Sequence, residues 1–263
     1  MASALIGGMC ERGFEAADIT VVELDASARE RLRAYGVTVL AAPDAEVFGS
    51  DVLVLAVKPQ QMKAALAPFV GALRETLVIS IAAGLLLADI GRWLGNAGEP
   101  YPRLVRCMPN TPALVGAGIT GMFAAPGVDA LGREVAGRIL ATVGSIVWVD
   151  DETRLDAVTG ISGSGPAYVF HFIEALETAG QAQGLDAAAA RRLAIGTVLG
   201  AARLAEDSSD SPSTLREKVT SKGGTTAAAL AHLAATGWHD ALIGAVEAAS
   251  ARSRELGEQL GQD

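Results

Sequence analysis

The segment Thr220-Ser221-Lys222-Gly223-Gly224-Thr225-Thr226 carries the most suggestive chemistry in the chain. Two glycines and then two hydroxyl residues open a helix-prone run, Ala227–Ala235, so several backbone N–H groups are exposed where the helix dipole adds positive potential. Such a terminus suits a small carboxylate or a phosphate. The same residues also suit a plain helix start in which Thr225 or Thr226 caps the helix, and both readings stand at this point. A second loop, Gly160-Ile161-Ser162-Gly163-Ser164-Gly165-Pro166, opens another helix, with Pro166 suited to the first turn. It invites comparison with a hydrolase nucleophile turn. Neither Ser162 nor Ser164, however, has glycines at both flanking positions of G-x-S-x-G. The three histidines, His171, His232 and His239, lack triad-like or metal-like company, so a hydrolase reading fails.

Three other places combine small residues with turn formers: Ala56-Val57-Lys58-Pro59, Ala82-Ala83-Gly84 and Met108-Pro109-Asn110-Thr111-Pro112. Each ends a short apolar run. A doubly wound sheet binds its ligand outside the carboxyl ends of its strands, where small residues let a cofactor lie against the backbone. Asn110 can donate to and accept from a carboxamide. Strand-to-helix turns favour such residues anyway, so it is the recurrence of the pattern that points to a nucleotide cofactor. Glu23 closes the run Ile19–Val22 and can accept a hydrogen bond from a ribose 2′-hydroxyl while repelling a 2′-phosphate. A solvated acid at a strand end is the plain alternative, and Ser27 and Arg29 nearby could serve a phosphate instead.

The elements that position these residues follow from periodicity. Ile19–Val22, Val37–Leu40, Asp51–Val57, Leu77–Ala82 and Leu104–Cys107 are short apolar runs. Helical patterns stand between several of them, at Ala28–Ala34 and Gln60–Leu73. Gly118–Phe123 and Ser145–Val149 flank a further helix near Leu131–Ala141. Strands that are apolar throughout and alternate with helices predict a parallel sheet covered on both faces. After Asp150 the strand pattern stops, and Ala167–Ala182, Ala187–Leu204, Leu215–Thr220, Ala227–Ala235 and Trp238–Leu260 read as helices. The expected architecture is an α/β chain: a Rossmann-like doubly wound domain over residues 1–150, then an all-α domain over residues 151–263.

The first strand and its glycine turn are missing from this pattern, because Met1–Gly8 already reads as helix. In the usual order that strand is central, and roughly four apolar side chains at about 1.5–3 kcal/mol each would be forfeited without it. A late start or a truncated chain is therefore expected. Weak dinucleotide binding is expected with it, since the pyrophosphate normally rests on that glycine turn.

Half of the residues are hydrophobic and 19% charged, enough to bury a sizeable core, and the net charge of −9 argues against nucleic acid as a partner. Cys10 and Cys107 form neither a ligand cluster nor a disulfide pattern, and each reads as a small buried hydrophobe. The longest apolar run, Leu77 to Ala88, is shorter than a bilayer span of about 20 residues. No cationic region precedes an apolar one at the N-terminus, so a cytoplasmic protein without membrane or metal is expected.

Four ordered segments resemble the pyrroline-5-carboxylate reductases: Ala56-Val57-Lys58-Pro59-Gln60, Arg106-Cys107-Met108-Pro109-Asn110-Thr111-Pro112-Ala113, Ser162-Gly163-Ser164-Gly165-Pro166-Ala167-Tyr168, and Val219 through Thr226. The stretch Leu215–Leu233 is similar to the family's signature segment, and the resemblance reaches Ser253-Arg254-Glu255-Leu256. It implies reduction of 1-pyrroline-5-carboxylate to L-proline, the last step of proline biosynthesis, by hydride from NADPH or NADH. It also implies a helical domain forming an intertwined homodimer, five of which can assemble into a decamer. Ala2 falls where the family's glycine fingerprint ends, and Ser164 and Gly165 fall among its cofactor-binding residues. Ser221, Gly224 and Thr225 would hold the substrate carboxylate, with the Thr226 hydroxyl, the expected catalytic group, near the imine nitrogen. Pro43 departs from the Asn common in the family at the cofactor's adenosine end. Two alternatives stay open: a β-hydroxyacid-type dehydrogenase, which needs a Lys or His acid–base that does not stand out here, and a non-catalytic paralogue.

Overall fold

Seven short strands lie where the apolar runs place them: β1 (Thr20–Val22), β2 (Thr38–Leu40), β3 (Val52–Leu55), β4 (Leu77–Ser80), β5 (Leu104–Met108), β6 (Gly118–Ala124) and β7 (Gly144–Trp148). The computed structural model describes residues 1–261. The helices around the strands are α1 (Ala2–Glu11), α2 (Ala26–Arg33), α3 (Ala45–Phe48), α4 (Met62–Leu66), α5 (Leu87–Leu94), α6 (Ala130–Leu140) and α7 (Arg154–Val158). Beyond them come α8 (Gly165–Ala182), α9 (Ala187–Asp207), α10 (Pro212–Lys218), α11 (Thr225–Ala235) and α12 (Trp238–Leu260).

The strands form a parallel pair, β1-β2, and a five-stranded sheet in the order β3-β4-β5-β6-β7. Strands β3, β4 and β5 run parallel, with Leu55 beside Ser80 and Ser80 beside Arg106. Strand β6 runs antiparallel to β5, which departs from the all-parallel expectation. A parallel return needs a crossover of a dozen residues or more. Only a single 3₁₀ turn, Thr111–Val115, stands between β5 and β6, and left-handed Gly116 (φ 69°) ends it. The helix expected over residues 60–73 is broken for a similarly local reason. Pro68 has no N–H to continue the ladder, and the segment becomes α4 between two 3₁₀ turns, Pro59–Gln61 and Ala67–Phe69.

All four residues of β4 are buried because helices cover both sheet faces. Val78 packs on one side with Leu66, Phe69, Leu85 and Ile90. Ile79 packs on the other with Leu5, Val105, Met122 and Leu140. No hydrogen-bonded ladder joins β1 to β3, so the sheet is divided where a doubly wound order places its first strand. Val21, Val22, Val52, Leu53 and Val54 beside that division are only partly buried.

Two compact units result: Met1–Ser164 together with the segment from Glu247 onward, and Gly165–Val246. Compactness therefore divides the chain after Ser164, beyond the position expected near Asp151. Helix α7 explains the shift, since it packs against β5 and β6, and its buried Asp156 accepts a 2.6 Å hydrogen bond from Ser253 of α12. In the second unit α8 and α9 form a helical hairpin. Gly180 lets the two approach, because a Cβ there would stand 3.2 Å from that of Ala190. Asp186 caps α9 through Ala189 N–H at 2.8 Å. Among the described residues, no helix is long and apolar enough to cross a membrane.

Candidate active site

The parallel register brings three of the expected segments to one end of the first unit. Residues 56–59, 82–84 and 108–112 all lie at the carboxyl end of β3, β4 and β5. Ala56, Val57, Lys58 and Ala83 are exposed there, whereas Ala82 and Gly84 are buried. Gly84 has φ 83°, which a side chain rarely tolerates. Its open face is taken by the last turns of α12, since a Cβ would lie 3.4 Å from Leu260 and 3.6 Å from Leu256. Reciprocally, a Cβ on Gly257 would stand 2.7 Å from the Gly84 carbonyl oxygen. An exposed rim of small side chains above a firmly backed turn fits an extended dinucleotide lying across strand ends.

Asn110 is buried, and its side chain braces the protein: Nδ2 donates to Ser162 O at 3.1 Å and Oδ1 accepts from Ile119 N–H at 2.9 Å. One amide hydrogen and one lone pair remain for a carboxamide. Ser162 lies in a π-helical stretch, Thr159–Gly163, that joins α7 to α8 in place of the expected loop. Its wide turn is closed by Ser164 N–H on Thr159 O at 2.8 Å. Such widened turns recur at functional positions. Ser164 ends the first unit and Gly165 opens the second.

Beyond β1, the Glu23 carboxylate turns back to accept Asp25 N–H at 2.9 Å, and among the described residues its second oxygen has no partner. Arg29 Nη1 is engaged by the carbonyls of Glu23 and Leu24 at 2.9 and 2.7 Å. Asp25 caps α2 through Ala28 N–H, and the Ser27 hydroxyl, followed by that backbone bond, holds its carboxyl below the usual range. Ala2 opens α1, which is capped by no side chain. Buried Cys107 has a thiol pushed upward by desolvation, which makes it inert packing rather than a nucleophile.

Sequence reasoning missed a charged cluster behind the strand ends. Buried Arg106 in mid-β5 pairs with Glu152 Oε1 at 3.0 Å, and the same oxygen accepts Leu87 N–H of α5 at 2.9 Å. The available signal was Arg106 itself, a charge inside an apolar run that must find a partner when buried.

In the second unit, Gly224 is the N-cap of α11, and no side chain caps that helix. The plain reading in which Thr225 or Thr226 caps it therefore does not hold. Gly223 turns left-handed (φ 73°), and Gly224 N–H closes on Ser221 O at 3.0 Å. A Cβ at position 224 would meet the Ser221 hydroxyl, which would have to turn away. Ser221 and Thr225 are exposed and Thr226 is partly buried. The resulting helix start presents first-turn N–H groups without a side-chain partner.

Residues 152–256 match the family model described as pyrroline-5-carboxylate reductase dimerisation, and residues 1–84 match that described as NADP oxidoreductase coenzyme F420-dependent. Pyrroline-5-carboxylate reductase of Pseudomonas aeruginosa is 45% identical over 100% of this chain and 95% of its own length. That of Synechocystis sp. is 43% identical over 98% of this chain and 96% of its own. Among solved structures, the Coxiella burnetii pyrroline-5-carboxylate reductase superposes with a TM-score of 0.91 at 38% identity, covering 97% of this chain and 94% of that one. The Plasmodium falciparum pyrroline carboxylate reductase, solved with NADP bound, gives 0.83 at 28% identity over the same shares. With identity of this extent across the α/β unit and the helical unit alike, the chain belongs to the pyrroline-5-carboxylate reductase family.

Proposed function

We propose that this chain reduces 1-pyrroline-5-carboxylate to L-proline with NADPH or NADH. The observation that carries the reading is the start of α11, where Gly224 is the N-cap and no side chain satisfies the first N–H groups. A substrate carboxylate would accept from the N–H groups around Gly224 and Thr225 and from the Ser221 hydroxyl, assisted by the helix dipole. The Thr226 hydroxyl, one position further along α11, would orient the ring nitrogen. Ala56–Pro59, Ala82–Gly84 and Asn110 would hold the cofactor along the ends of β3, β4 and β5, with Ala2, Glu23, Ser164 and Gly165 as further contacts. When bound, the reduced nicotinamide supplies hydride to the imine carbon. The protonated imine is already electrophilic, so the protein's part is orientation and placed electrostatics rather than strong acid catalysis.

The reading includes a homodimer through the helical unit, supported by the apolar surface that α8, α9 and α12 leave exposed. Assembly of five dimers into a decamer is the further expectation from the family. The test is an assay of NADPH- and NADH-dependent proline formation from 1-pyrroline-5-carboxylate, with the amino acid product measured directly. No proline above the enzyme-free blank with either cofactor overturns the reading.

A further inference from the structure

We infer that Glu152 is a positioning residue for the reduction, holding the Ala82-Ala83-Gly84 turn in place from behind. The inference rests on the reading of that turn as part of the cofactor's seat. The turn is strung between β4 and α5. Its upstream end is fixed by the sheet, through Ile81 N–H on Leu55 O at 3.1 Å. Its downstream end is the start of α5, where the N-cap position is occupied by Leu86, which has no side-chain acceptor. Helices α2, α3, α6 and α9 each take a side-chain cap from an aspartate at their own N-cap. Helix α5 takes its acceptor from Glu152, 65 positions away. The Glu152 carboxylate sits at the positive end of the α5 dipole and satisfies one of the N–H groups that every helix start leaves open.

The same oxygen is held by Arg106, whose side chain is only 4% exposed. Arg106 stands on β5 directly beside Ser80, the last residue of β4 before the turn. A buried ion pair gains little over apolar packing of the same volume, so stability alone does not account for a charge at this place. What the pair does is fix one carboxylate oxygen between the strand below the turn and the helix beyond it. From the far side, Gly257 and Leu260 of α12 back Gly84. Asp156 of α7, in the segment that follows Glu152, ties α12 down through Ser253. The turn is thereby held on both sides, and Glu152 is the acceptor that holds its downstream end from outside the β4–α5 segment.

Glu152→Ala, Glu152→Gln and Glu152→Asp, prepared in the dimer, test this with steady-state kinetics and with NADPH deuterated at the transferred position. Glu152→Ala is expected to lower kcat by about tenfold or more with KM for the imine within about twofold, and to raise the isotope effect on kcat. Glu152→Gln, which keeps an acceptor for Leu87 N–H, is expected to recover most of kcat. Should the alanine variant not fold, Glu152→Asp replaces it, since it keeps a charge for Arg106 but draws back from Leu87, and the same split is expected. A folded variant with unchanged kcat and isotope effect, a loss confined to KM, or a glutamine variant no better than alanine each overturns the role. A wild-type enzyme that makes no proline sinks the functional reading itself, whereas active wild type with indistinguishable variants sinks only the role of Glu152.

Discussion

The two units use similar residues to opposite ends. The first buries Met62, Leu66, Ile79, Ile90, Met122 and Leu140 completely or nearly so, on both faces of one sheet. In α8, α10 and α11 of the second no residue is buried, and in α9 only Ala190 and Ala194 are. Phe170, Leu193, Leu199 and Leu204 stay exposed there. A chain does not leave that much apolar side chain in water without a use for it. The contrast teaches that the α/β unit is stable by its own packing, while the helical unit is completed by another copy. It recurs in the glycine turns. Gly84 is enclosed by protein, whereas the turn at Gly223–Gly224 is left open at a helix start.

The largest effect should come from breaking the first unit's packing. Ile79→Ala is expected to cost about 2–5 kcal/mol in urea unfolding without changing the oligomeric state. A cost well under 1 kcal/mol would remove the sheet as the seat of stability. Leu199→Asp places a charge on the exposed α9 surface and should weaken self-association by about a hundredfold, ~2.7 kcal/mol, in sedimentation equilibrium. A dimer as tight as wild type would place the interface elsewhere.

The open turn should respond in catalysis rather than stability. Thr226→Ala is expected to lower kcat/KM by about 2–3 kcal/mol with an unchanged melting temperature. Unaltered kinetics would remove Thr226 from the reaction. The smallest effect concerns the exposed turn beyond β1. With one Glu23 oxygen directed into its own backbone and the other available to a ribose, NADH should serve at least within about tenfold of NADPH, ~1.4 kcal/mol. A preference for NADPH of about a hundredfold or more would mean that the carboxylate does not meet the ribose.

By itself the sequence determined whatever depends on neighbours a few positions apart. Apolar runs located all seven strands to within a few residues, most directly in β4, which is covered on both faces and so apolar almost throughout. Glycine and hydroxyl residues located the α11 start, and the small residues at three strand ends located the rim. The helical start was legible too, since Met1–Gly8 carries helical rather than strand spacing and residues 2–11 form α1. Only the tertiary structure decided what joins distant positions. It set β6 antiparallel, drew Asn110 to Ser162, returned α12 to Gly84, and paired Arg106 with Glu152 across to Leu87. The reason is physical: periodicity and turn chemistry act over one or two turns of chain, whereas the partner of a buried polar group is whichever group the packed fold brings within about 3 Å of it.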